Sequence, residues 1–77
     1  MSRTFTDENL LTWEAFASAG QSGLSDHVRV VFHCVSDPHR RGRWVAGKGD
    51  EADAEAAVHN SSDDELRTML KGSRELD

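Results

Sequence analysis

Between His27 and Cys34 the side chains alternate. Val28, Val30, Phe32 and Cys34 fall on one side, and His27, Arg29, Val31 and His33 on the other. A period of two with one apolar side is the signature of a strand that turns one face to a core. The pattern predicts a strand from His27 to Ser36. Asp37-Pro38-His39-Arg40 follows as a turn, because proline presets its own φ and drives the residue before it away from helix. A returning strand is predicted over Arg41–Ala46, with Trp44 and Ala46 assigned to the core side and Arg43 and Val45 to the other. A lone hairpin is only marginally stable in water, so the flanking segments must supply further strands and a cover.

Residues 3–18 fit two templates. Thr6 could cap a helix through Leu10, Leu11, Trp13 and Ala17 that stops at Gly20. Equally, Arg3–Thr6 could pair with Leu11–Ser18 across a turn at Asp7-Glu8-Asn9, with Phe5, Leu11, Trp13, Ala15 and Ala17 inward. The strand reading is adopted because it turns the central hairpin into a four-stranded meander.

After a loop over Ala19–Asp26 and the hairpin, Gly47-Lys48-Gly49-Asp50 leaves the sheet. Asp50 can cap a short helix over Glu51–His59, whose apolar residues are alanines and Val58. That face is shallow and predicts a weakly held helix. Ser62-Asp63-Asp64-Glu65 is a capping box that opens a helix over Asp63–Lys71, with Gly72 as its stop. Leu66, Met69 and Leu70 form one stripe, predicted to lie over Val30, Phe32 and Trp44. The tail 73–77 is expected to fray. The expected class is thus α+β. It is a small antiparallel β-meander of about four strands, a C-terminal helix packed on one face, and a short alanine-rich helix before it. All 77 residues form one domain. The predicted core is Phe5, Leu11, Trp13, Val28, Val30, Phe32, Trp44, Leu66, Met69 and Leu70. It is small, since a domain of this size buries only about 60% of its unfolded surface.

Arg3-Thr4-Phe5-Thr6-Asp7, Trp13-Glu14, Val30-Val31-Phe32 and Ser62-Asp63-Asp64-Glu65-Leu66, taken in that order, resemble a pattern in small uncharacterised bacterial proteins. Those have an R-x-F-T-D start, a tryptophan-containing β-meander and an S-D-x-E-L C-terminal helix. The resemblance implies the meander-plus-helix fold. No activity is known for the pattern, so it implies no catalytic residue. The chain departs from it in the first turn, where a glycine is expected and Asn9 is the nearest substitute able to take a left-handed backbone. The alanine-rich stretch 51–58 is a second departure.

Charge and cysteine content narrow the function classes. The net charge is −5, with +1 in residues 1–49 and −6 in residues 50–77. Nucleic acid and anionic membrane are therefore poor partners by default. The single cysteine, Cys34, cannot form an internal disulfide, which fits a reducing compartment. No stretch approaches the ~18 apolar residues of a membrane span. A soluble, cytoplasmic protein is expected.

Four constellations are candidates for chemistry. His33, Cys34 and His39 offer metal-ligand types, but His33 and Cys34 are neighbours on a strand and point to opposite faces, so no metal is expected. Cys34 shares a face with Val28, Val30 and Phe32, away from His27 and His33, so it has no base and no catalytic role is expected. His39, Arg40, Arg41, Arg43 and Lys48 form a basic hairpin that could contact an anion or nucleic acid, but such charges also protect sheet edges. Last, Phe16, Val31 and Val45 are apolar positions on the predicted outer face, a pattern that can mark an interface. The reading is a non-enzymatic protein-interaction or self-associating module without cofactor, its partner another protein or a second copy. The alternative is weak nucleic-acid binding through Arg40, Arg41, Arg43 and Lys48.

Overall fold

In a computed structural model that describes residues 2–18 and 28–76, a five-stranded antiparallel sheet carries two helices on one face. The strands are β1 (Arg3–Thr6), β2 (Thr12–Ser18), β3 (Arg29–Cys34), β4 (Arg43–Ala46) and β5 (Arg74–Glu75), in the spatial order of the chain. Between β4 and β5 lie α1 (Glu51–Asn60) and α2 (Asp63–Lys71). The predicted loop over Ala19–Asp26 and the predicted strand start at His27 lie outside the described residues.

Of the two templates for residues 3–18 the strand pair is the one formed, β1 and β2 being joined by a turn over residues 7–11. Phe5 pairs with Trp13, and Ala15 with Phe32, so these side chains share the covered face. The turn between β1 and β2 is organised by Asp7. Its Oδ1 accepts from the amides of Asn9 at 2.8 Å and Leu11 at 2.9 Å, and its Oδ2 accepts from the Trp13 indole at 2.8 Å. The left-handed residue of this turn is Leu10, at φ 66°, and not Asn9. The Asp7 bonds set the turn's closure, and that places the positive φ one residue later than side-chain preference alone suggests.

The core comprises Phe5, Trp13, Ala15, Val30, Phe32, Cys34, Ala54, Val58, Leu66 and Leu70, with Leu11, Ala17, Val28, Val45 and Met69 partly buried against it. Phe5 meets Phe32 edge-to-face at 6.0 Å between ring centroids, a favoured aromatic geometry. The alanine-rich α1 lies over β2 and β3. Its small side chains permit close approach, and Ala54 and Val58 are buried there. The shallow face lies directly on the sheet. Capping boxes open both helices, Asp50 with Asp53 and Ser62 with Glu65.

Arg3 locks the helix junction to β1. Its guanidinium donates to the carbonyls of His59 at 2.9 Å and Ser61 at 2.8 Å, and pairs with Asp63 at 2.9 Å. It thereby satisfies carbonyls at the C-terminal end of α1, which have no partner within the helix, and places a cation where the α1 dipole favours one.

Two expectations are corrected. Within the tail expected to fray, residues 74–76 are paired with the sheet: Arg74 and Glu75 pair with Trp44 and Arg43 as the fifth strand, and the Leu76 amide donates to the Gly42 carbonyl at 2.8 Å. Gly42 lies close against Leu76 here, since a Cβ on it would come 2.8 Å from Leu76 Cδ1, which the leucine side chain would have to turn aside to accommodate. Second, β4 faces the opposite way. Val45 pairs with Val30 and Trp44 with Val31, so Val45 packs on the core and Trp44 stands on the outer face. The connection from Cys34 to Arg43 sets the parity of β4, and a shift of one residue exchanges the two faces of a strand.

Candidate functional site

Both helices cover one side of the sheet, and among the described residues no element lies over the other side. The strand registers place Phe16, Val31 and Trp44 in one row across β2, β3 and β4, with Arg74 next in line on β5. All three apolar side chains are half-buried, each shielded by its neighbours. A second row holds Ser18, Arg29 and Ala46, and a third pairs Glu14 with His33. The Arg29 guanidinium lies over the Trp44 ring, 4.3 Å from its centroid, a cation–π contact. Arg29 and Arg74 thus flank an indole from the two strands beside β4. Glu14 is the one carboxylate that the registers put on this face among the described residues, and it accepts from Ser2 Oγ at 2.7 Å.

Of the predicted contact residues, Phe16 and Val31 are on this face together, directly paired. Val45 is not, for it lies on the covered side with Val30. Trp44 takes its place. Sequence reasoning missed Trp44 and Arg74 as face residues. Arg43-Trp44-Val45-Ala46 has three consecutive apolar residues, so its alternation does not say which face is inner, and a two-residue strand near the terminus has no period to detect.

The basic hairpin does not converge into a patch. Arg43 points to the covered side, where Nε donates to Ser73 Oγ at 2.7 Å and Nη2 to Ser73 O at 2.6 Å. Arg40 reaches Asp37 at 3.6 Å. Arg41, His39 and Lys48 are exposed on connections at either end of β4. His33 is exposed opposite Glu14, whereas Cys34 is buried opposite Trp13, so the two stand on opposite faces of β3.

Charge is sorted across the molecule. Arg3, Arg40, Arg67 and Lys71 each meet a carboxylate. Arg29, Arg41, Arg43, Lys48 and Arg74 have no carboxylate partner among the described residues, and all belong to β3, β4, β5 or the connections of β4. The exposed carboxylates Glu51, Asp53, Glu55, Asp63, Asp64 and Glu65 crowd the two helices on the opposite side.

A recess of about 180 Å³ lies between Trp13, Leu70, Arg67 and Lys71. Its charged groups are already engaged. Lys71 pairs with Glu8, Arg67 binds Thr6 O and Asp64, and the Trp13 indole binds Asp7. The recess is a seam between α2 and the first turn. No protein-family model matches the chain, and no curated protein or solved structure matches it significantly.

Proposed function

We propose that this protein is a small non-enzymatic module that binds a protein partner through the open face of its sheet, with Phe16, Val31 and Trp44 as contact residues. The observation that carries the reading is the aromatic-aliphatic row on a face that no described element covers. Aromatic residues and arginine are the residue types enriched at interface centres, and this row is bordered by Arg29 and Arg74. The basic hairpin supports nucleic-acid binding less well, since Arg43 is turned inward and Arg40 is paired. A reducing compartment, read from the single buried thiol of Cys34, completes the proposal as a cytoplasmic protein.

Val31→Glu is the test, because it puts a charge in the middle of the row without touching the core. The native chain should form a complex in affinity capture or associate with itself in light scattering. The variant should lose that association while keeping its circular dichroism spectrum. A native chain that stays monomeric and captures nothing the variant fails to capture overturns the reading.

A further inference from the structure

We infer that the partner of this face is an acidic protein segment in which carboxylates flank an apolar anchor. The inference rests on the interaction reading above and adds the chemistry of the occupant. The Arg29 guanidinium carbon lies over the Trp44 ring, 4.3 Å from its centroid, which holds the cation beside the apolar row. A guanidinium in such a contact still carries N–H donors, and its planar fork matches a carboxylate in bidentate fashion. No carboxylate meets Arg29 or Arg74 among the described residues, although 14 Asp and Glu residues are present in the chain. Arg29 and Arg74 stand on the open face, whereas the exposed carboxylates of α1 and α2 are on the helix side, so the open face complements an anionic segment.

An apolar side chain between two such carboxylates would rest on Val31 and Trp44. A single-stranded nucleic acid fits less well. Base stacking needs free aromatic faces, and the Trp44 ring already carries a guanidinium on one of them.

The probe is a short synthetic peptide of leucines among glutamates, compared with the same peptide carrying glutamine for glutamate and with a short oligouridylate. Binding is followed through the two indole N–H signals in nuclear magnetic resonance. The glutamate peptide should shift the Trp44 signal and leave that of Trp13, which is bonded to Asp7, in place. Its affinity should fall as salt rises, and by several-fold in both Arg29→Gln and Arg74→Gln, which are exposed positions outside the core. Equal binding of the glutamine peptide, tighter binding of the oligouridylate, or no Trp44 shift overturns the inference. A Trp44 shift that follows the protein's own concentration overturns it in favour of a second copy. If the native chain nevertheless forms a complex that Val31→Glu abolishes, the interaction reading stands and only the acidic partner falls.

Discussion

Arg43 holds Ser73 by two hydrogen bonds, one to its hydroxyl and one to its carbonyl, at 2.7 and 2.6 Å. Ser73 is buried, and its hydroxyl in turn donates to the carbonyl of Leu70 at the end of α2. One side chain on β4 therefore ties the helix terminus and β5 to the sheet. Hydrogen bonds to a charged group contribute about 1.5–3 kcal/mol. Arg43→Ala should destabilise by roughly that amount in chemical denaturation, and amide exchange at Leu76 should accelerate more than in β2. Lysine should recover little, because it lacks the planar fork. Unchanged exchange at Leu76 would show that β5 is held without Arg43.

Arg3 plays the corresponding part at the other end of the sheet. Its bonds to His59, Ser61 and Asp63 join β1 to the helix junction. The Arg3 side chain is 28% exposed, so solvent weakens each contact. Arg3→Ala should cost about 1–2 kcal/mol, read as a lower denaturation midpoint with an unchanged slope. Asp63→Asn should reproduce only a small part of that loss, since the carbonyl contacts persist.

Acid should loosen the first turn. Partial burial pushes the Asp7 carboxyl up, but hydrogen bonds from Trp13, Leu11 and Asn9, with the nearby Arg40 charge, outweigh it and hold the carboxyl below its usual range. The folded protein therefore binds this proton less readily than the unfolded chain does. The stabilisation is complete above the ordinary value of 3.8 and is lost as pH falls through the lower folded value. Thermal unfolding followed from neutral pH down to acid should show this loss. Asp7→Asn should be less stable at neutral pH and should lack that part of the acid dependence.

Leu10 offers a stabilising change. It is 82% exposed and has φ 66°, a region that costs a residue with a Cβ roughly 1–2 kcal/mol. Leu10→Gly should raise stability by about 0.5–1 kcal/mol, the part left after glycine's extra freedom in the unfolded chain is subtracted. A loss of stability would mean that the leucine side chain contributes packing that its exposure does not reveal.

Leu66 is fully buried beneath the sheet. Its truncation to alanine should cost roughly 2–5 kcal/mol, measured by denaturant unfolding. Met69→Ala, at a partly buried position, should cost less.

The elements themselves were legible in the chain. Alternation over Val28–Cys34 named β3 and its inner face, Ser62 and Glu65 marked the start of α2, and residues 3–18 offered Phe5, Trp13 and Ala15 as an inward strand set alongside an equal helix template. These features are local, since each depends on residues a few positions apart. Phe16 and Val31 as outer-face residues followed from the same periodicity.

The rest depends on distant parts of the chain meeting. The parity of β4 was decided by its register with β3, which puts Trp44 beside Arg29 and sends Val45 inward. β5 pairs with β4 where the Arg43 side chain holds Ser73 and the Gly42 carbonyl accepts from Leu76, all far apart in sequence. A side-chain pattern repeats within one strand and so reports which residues share a face. It does not report which face meets the helices, because that is set by the length and path of the connections and by the closure of the core around α1 and α2.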